Sequence, residues 1–486
     1  MKLHVIEEPP LMFAQGGRHV DIKAGLSTFG AFDRGSGSVP NPIGIGLIGT
    51  ADTIDGVRDW MESCRNGVAS TEETLTDLRP AFPGLRDSLY GTHFQITDLN
   101  TRTVSRHEMQ NALSGPRKLS RIVDLFVEHA RDLADRPGLR VIIVAPPVDV
   151  FNLVEDPGRE PDPVLDDADA AAPDYVTNFH DVFKAQALDL AAPTQIVRPD
   201  TYGGGSTRRS RTQKKSAKPG EKKASLQDPA TRAWNFHTAL YYKAGGVPWR
   251  MVRRLSAHDT CYVGTSFFKS LDGKRLLTSV AQVFNERGEG LIVQGGNARI
   301  DRDDPSPHLN ADDSRTLLAN GLRSYRREHN HMPARVVVHK TSYFDAGEID
   351  GFRQAAREER IDMLELVHVR RSDTRLFRAA EHAVQRGTSL QFDQRSGVVY
   401  LKGTVPYFKT YPGAYVPRAL EFRRDDGESS PLDLAKELLE LSKLNFNNTQ
   451  FDSGDPITVR AARRVGDILK HVGSGRNVQS RFRYFT

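Results

Sequence analysis

The sequence predicts an α/β protein built as two successive layers, and three observations carry that prediction. The run Leu139 to Ala145 (LRVIIVA) is continuously apolar, as a strand covered on both faces must be. Around it strand and helix patterns alternate, which is the order of a small layer with parallel strands. After Trp249 three strand patterns follow one another before helices return, which marks a second layer of different construction.

Each element has a local reason. Ile43 to Ile48 reads as a strand and Thr53 to Cys64 as a helix, although the many Gly and Pro of the first hundred residues leave the fold of that region unread. A helix pattern covers Lys118 to Asp135, and Pro146-Pro147 ends the buried strand that follows it. Beyond an acidic, Ala-rich stretch (155–174) come a helix from Asn178 to Leu190, a short strand Thr194 to Val197, and a helix Pro229 to Ala244 closed by Gly245-Gly246. In the second layer, Cys261 to Lys269, Leu276 to Phe284 and Gly290 to Gln294 are separated by polar turns and read as an antiparallel meander. Helix Asp312 to Glu328, strand Arg335 to His339, helix Glu348 to Glu359 and strand Met363 to Val369 follow, then helices Leu432 to Leu441 and Ile457 to Val472. Three antiparallel strands and then alternating helix and strand is the order of a ribonuclease-H-like layer.

Composition narrows the class. At 486 residues the chain exceeds one ordinary core, and 38% hydrophobic with 27% charged residues describes a globular protein with no apolar run of membrane-spanning length. The opening MKLHVIEEPPLMF places acids and prolines where an export signal carries apolar residues. Cys64 and Cys261 cannot form a disulfide framework or a four-thiolate zinc site, so the chain is read as cytoplasmic. The net charge of +5 is concentrated: residues 205–223 hold eight Lys or Arg and one Glu, which leaves −2 for the rest. That loop reads either as a solvated segment or as a phosphate contact. A second basic region, Arg460, Arg463, Arg464, Lys470, Arg476, Arg481 and Arg483 against Asp467, runs over a helix and the tail.

Four residues of the first layer carry chemistry. His180 and Lys184 stand four apart and share one helix face, Gln195 follows on the next strand, and Lys243 closes the long helix. Each offers a hydrogen-bond donor to a phosphate oxygen. Each also has a plainer reading: a solvated helix face, a satisfied loop, a cation at the negative end of a helix. Spacing alone leaves both open.

Four segments resemble the prokaryotic Argonautes, and among them the short ones made of MID and PIWI domains: EEPPLMFAQGGRHVDIKAGLSTFGAFD (7–33), HDVFKAQALDLAAPTQIVRPDT (180–201), WNFHTALYYKAGGVPW (234–249) and KLNFNNTQFDSGDPITVRAARRVGDIL (443–469). They span almost the whole chain in the family's order. The resemblance implies a Rossmann-like MID domain over 116–255, a ribonuclease-H-like PIWI domain over 256–486, and an N-terminal segment 1–115 packing with MID. It implies that His180, Lys184, Gln195 and Lys243 hold the 5′ phosphate of a guide strand. It also implies that the C-terminal carboxylate, at Thr486, joins Gln195 in holding a magnesium ion against that phosphate; a frayed tail is the plainer reading of Thr486.

The same resemblance exposes a gap. Cleavage at a ribonuclease-H-like site needs carboxylates converging on two metal ions. Where active members carry acids, YVGTSFF gives Ser266, RVVVHKTS gives Thr341 (or Lys340 if the alignment slips by one), and PITVRAAR gives Arg463. The glutamate of the remaining position has no placement. Other groupings are set aside: His329, His331 and His339 as metal ligands, Gly203 to Gly205 as a phosphate loop, and Asp301, Asp303 and Asp304 as catalytic acids. The chain is thus expected to be a catalytically inactive short Argonaute that uses a 5′-phosphorylated guide RNA to recognise complementary DNA. The resemblance further implies a heterodimer with an APAZ-containing effector, TIR, sirtuin-like or nuclease, in defence against plasmids or phage. A stand-alone guide-dependent nuclease and a guide-independent single-strand scaffold are the rival readings.

Overall fold

The computed structural model describes residues 1–85, 89–155, 177–203, 227–252, 258–271, 276–284, 289–300, 306–377, 383–411, 416–450, 453–472 and 479–486. The basic loop 205–223, most of the acidic stretch 155–174, Arg476, and Asp301, Asp303 and Asp304 lie outside them. Two compact units emerge: Asp33–Pro248 with His471–Gln479, and Met1–Phe32 with Trp249–Lys470 and Ser480–Thr486. The chain opens with β1 (Lys2–Val5), a strand of the second of these.

The first unit is a four-stranded parallel sheet in the order β3–β2–β4–β5, formed by β2 (Ile43–Gly49), β3 (Phe94–Thr103), β4 (Leu139–Ala145) and β5 (Thr194–Ile196). Its helices include α1 (Ala51–Arg65), α2 (Lys118–Ala134), α3 (Phe179–Gln186) and α4 (Pro229–Lys243). The two central strands are apolar nearly throughout because both of their faces are covered. In α2, Leu119, Ile122, Val123, Phe126, Val127, Ala130 and Leu133 recur at helical spacing and are all buried. They pack with Ile142, Val144, Phe179 and Phe183, each such side chain stabilising the unit by about 1.5–3 kcal/mol. The sequence places β4 at its observed limits and the helices within a few residues. The predicted helix to Leu190 ends at Gln186, where a 3-10 turn, Ala187–Asp189, takes over.

The second unit holds a nine-stranded mixed sheet. Its strands are β1, the meander β6 (Thr260–Lys269), β7 (Leu276–Phe284) and β8 (Glu289–Asn297), then β9 (Arg335–Lys340), β10 (Met363–Arg371), β11 (Thr388–Gln391), β12 (Ser396–Val399) and β13 (Leu420–Asp426). The order is β1–β11–β12–β13–β10–β9–β6–β7–β8, with β6–β9 and β9–β10 parallel and the other pairs antiparallel. Helices α5 (Ala311–His329) and α6 (Ala346–Glu358) bury Leu317, Leu318, Leu322, Tyr325 and Phe352 against Cys261, Val263, Val336, Val338 and Leu366 on one face. Helix α7 (Pro431–Leu441) packs on β11 and β12, and α8 (Ile457–Leu469) on β6 and β7. Among the described residues no helix is long and apolar enough to cross a membrane. Cys64 and Cys261 are both buried free thiols.

These units divide the chain differently from the three segments 1–115, 116–255 and 256–486. Residues 1–32 belong to the second unit because β1 adds to its sheet and Glu8 bonds Arg386 and Lys443 there. Residues from Asp33 belong to the first unit, where β2 is a central strand, and the later boundary falls at Trp249.

Candidate functional site

In the first unit the Asn178 side chain caps α3, its Oδ1 accepting from the Asp181 amide at 3.0 Å. The helix therefore starts with His180 in its first turn and brings Lys184 one turn later onto the same face. Lys184 is 1% exposed, and its Nζ donates to the Thr194 carbonyl at 2.6 Å, which carries the ammonium to β5 beside Gln195. Gln195 Nε2 donates to the Ile196 carbonyl at 3.0 Å, while its Oε1 is buried with no hydrogen-bond partner among the described residues. Lys243, also 1% exposed, ends α4, which packs against β4 and β5. His180 is half-buried, with Nδ1 3.2 Å from Asp181 Oδ1.

Lys184 and Gln195 thus meet through Thr194, His180 shares a helix with Lys184, and Lys243 ends a helix that packs on the same strand. Two ammonium groups buried on one small layer are stable only where dipoles or anions answer them, and a phosphate is such an anion. Gly245-Gly246 is a helix stop with a packing reason: Gly245 has φ +112°, and a Cβ on Gly246 would lie 2.3 Å from the Tyr241 ring.

Thr486 belongs to the second unit. Phe485 beside it is buried and Phe482 packs against Ala461 and Ala462 of α8, so this tail is packed rather than frayed. The Gln195 Oε1, without a hydrogen-bond partner among the described residues, is a hard donor of the kind magnesium takes.

Strand alternation decides where the other predicted residues fall. Even-numbered Val336 and Val338 face α5 and α6, and Lys340 continues that row. Its Nζ donates to Glu348 Oε1 at 2.6 Å, deep in the core between the rings of Phe267 and Phe344. Odd-numbered His339 faces α8, where its Nδ1 lies 2.9 Å from Thr458 Oγ1. Ser266 lies on the same side as Gly264, which a Cβ would drive to 2.0 Å from the Thr458 carbonyl. Register pairs Thr265 with Lys340, the last residue of β9, and Thr341 follows it in the chain. Of the two alternatives, Lys340 faces α5 and α6, away from Ser266, and Thr341 lies just beyond the end of β9.

Arg463, on α8, donates to Asp455 Oδ2 at 2.6 Å, and Arg371 approaches the same oxygen at 3.5 Å. Sequence reasoning missed Asp455 and Arg371 as partners of Arg463; Asp455, just before the Pro456 that opens α8, was the available signal. It also missed the cluster of His308, Asp345 and Glu348, whose ligand atoms lie within 4.8 Å of one another. His308 Nδ1 is 3.0 Å from Glu348 Oε2, and the Lys340 ammonium already supplies this cluster with a cation. His329 and His331 sit with ring centroids 6.0 Å apart beside Tyr325, whereas buried His339 faces Thr458; the three do not gather.

No family model and no curated protein matches the chain, and its likeness is to solved structures. A Clostridium butyricum Argonaute, bound to a guide DNA and a 19-mer target DNA, aligns over 98% of this chain with a TM-score of 0.66 at 13% identity. The fold is the Argonaute fold. Drosophila Piwi aligns over 99% (TM-score 0.60, 14% identity) and the A. aeolicus Argonaute over 98% (0.58, 12%). The chain spans 53%, 56% and 54% of those three proteins. Within the Argonaute fold, the parallel first unit is the MID-like layer and the mixed second unit the ribonuclease-H-like PIWI layer.

Proposed function

We propose that this chain is a short Argonaute that holds the 5′ phosphate of a guide RNA with His180, Lys184, Gln195 and Lys243 and recognises a complementary DNA strand. The observation that carries the reading is the buried Lys184 ammonium on Thr194, beside a Gln195 oxygen with no partner among the described residues. The solved Argonaute from Clostridium butyricum binds guide and target DNA, and the same fold here supports the same class of ligand. Base pairing reads sequence while the protein contacts backbone and ends. Magnesium held at Gln195 would neutralise the phosphate.

Target cleavage is not part of the proposal. Ser266, Thr341 and Arg463 offer hydroxyls and a guanidinium where the resemblance places acids, and such groups are poor ligands for two metal ions; Oδ2 of Asp455 is taken by Arg463 and Arg371. Activity then belongs to an APAZ-containing effector, NAD-degrading or nucleolytic, which target recognition switches on in defence against plasmids or phage. The test compares guides with 5′-phosphate and 5′-hydroxyl ends on the purified chain, followed by a matched target in magnesium or manganese and co-purification with the product of the adjacent gene. Strong preference for phosphate with an intact target is expected. Equal binding of both ends would favour the guide-free scaffold, and a cleaved target traced to this chain would favour the stand-alone nuclease.

A further inference from the structure

The nine-stranded sheet ends differently on its two sides. At the β8 edge the Ile292 amide donates to the Ser480 carbonyl at 2.6 Å, so the tail covers part of that edge. At the other edge β1 pairs with β11 on its inner side, and no described strand pairs with its outer side. Leu3 and Val5, which share one face of β1, are 62% and 57% exposed. Natural edge strands are usually blunted by charge, proline or a covering element; β1 carries the exposed Lys2 at its start but leaves Leu3 and Val5 in solvent.

The strand is nonetheless held firmly. The Ile6 amide donates to Gly387 O at 3.0 Å, and Glu8 takes bonds from Arg386 Nε at 2.9 Å and Lys443 Nζ at 2.8 Å. Beside it lies a cavity of about 480 Å³ lined by His4, Val5, Glu7, Leu432, Lys436 and Glu440, among others. His4 contributes an Nε2 that is buried and has no hydrogen-bond partner among the described residues.

We propose that β1 is a docking site that receives an extended segment of a partner protein as a tenth strand, with alternate side chains of that segment entering the groove beside α7. Size selects this occupant. Four residues of edge span only about 14 Å, at roughly 3.4 Å per residue. Two copies paired across such an edge would bury far less than the ~1,000 Å² of a stable interface. An extended segment combines ladder hydrogen bonds with pocketed side chains and needs no broad face. The segment is apolar opposite Leu3 and Val5 and places a hydroxyl or carboxylate beside His4, whose ring nitrogen otherwise stays unsatisfied. The inference draws on the reading above only for the expectation of a protein partner; it does not depend on guide binding.

The experiment pans a displayed library of random peptides of about twelve residues on the full chain, a length that allows strand addition with flanking contacts. Selected peptides are synthesised and titrated against wild type, the Leu3→Asp/Val5→Asp variant, and Phe377→Asp as a control at an exposed site. Apolar residues at alternate positions are expected, with affinity falling about tenfold or more on the edge variant and unchanged on the control. N-methylation of successive peptide amides should weaken binding at every second position, a pattern that a merely sticky surface does not produce. Lys436→Trp, which fills the groove without altering β1, covers the case in which the edge variant fails to fold. No selected peptide that depends on β1 or the groove, or uniform tolerance of N-methylation, would overturn the proposal. Guide binding measured on the same variants stays at the wild-type level, so a failed docking site and a failed guide site are told apart.

Discussion

Lys184 and Lys340 are both almost wholly buried, each in its own α/β layer, yet they are answered in different ways. Lys184 donates to the Thr194 carbonyl, on the strand that carries Gln195. Lys340 donates to Glu348, a carboxylate whose full charge cancels its own, and His308 and the Leu309 amide hold that carboxylate in place. A buried cation tied to a buried anion is a closed element of the core. Lys184 stands instead beside Gln195 and on one helix with His180, and this company of donors, rather than burial itself, separates the candidate site from the structural pair.

The largest expected effect breaks the closed pair. Glu348→Ala strands the Lys340 ammonium in the core and should destabilise the second unit by about 3–5 kcal/mol. The double change Lys340→Met/Glu348→Leu should cost much less, because neither charge remains. Denaturant titration followed by a probe in the second unit measures both, and a Glu348→Ala protein as stable as wild type would show that Lys340 is not closed as described.

The counterpart change in the first unit should move binding more than stability. Lys184→Met should lower affinity for a 5′-phosphorylated guide by about 10- to 100-fold, since a charge-assisted hydrogen bond contributes about 1.5–3 kcal/mol. A 5′-hydroxyl guide should lose little. Equal losses for both ends would make Lys184 a structural residue like Lys340 and remove the distinction between them.

The helices and central strands of both layers were legible because burial on one or both faces writes itself into periodicity. Leu139–Ala145 and the α2 stripe are cases where composition alone fixes the face. Strands β1, β11, β12 and β13 were not legible: they are short, or polar like LEFRRDD of β13, and sheet pairing over long sequence separation stabilises them. The site was half legible. Spacing put His180 and Lys184 on one face, element order added Gln195 and Lys243 as donors, and resemblance gave all four their expected role, but that Lys340 faces away from Ser266 required the strand register. Gly264 gave no sign in the sequence of the α8 carbonyl pressed against it.

A smaller effect compares the units through two buried histidines. Burial pushes His237 of the first unit down to about 4, and burial with the Arg335 charge pushes His339 of the second down to about 3. Both are neutral in the folded chain, whereas an unfolded histidine takes up a proton near pH 6.5. Stability from each is therefore complete above about pH 6.5 and falls with pH by about 1.4 kcal/mol per unit until its folded value is reached. The loss should run in parallel for the two units down to about pH 4 and continue only in the second below it. His339→Leu should flatten the acid limb of the second unit alone; an unchanged slope would mean that His339 is protonated in the fold.

The smallest expected effect concerns residues 205–223, where eight Lys or Arg face one Glu. The phosphate cluster recognises one chain end, so its contribution should not grow with guide length. A basic segment that meets backbone phosphates acts by releasing counterions, about 0.7 per single-strand phosphate neutralised, and its contribution should vanish at high salt. Replacing 205–223 by a neutral Gly/Ser linker should therefore lower the salt dependence of guide binding while preserving the preference for a 5′ phosphate. Lys184→Met should do the reverse, weakening end preference with only a slight change in salt dependence. If the linker replacement leaves the slope of log K against log salt where it was, the loop is a solvated segment and the buried cluster carries guide recognition without it.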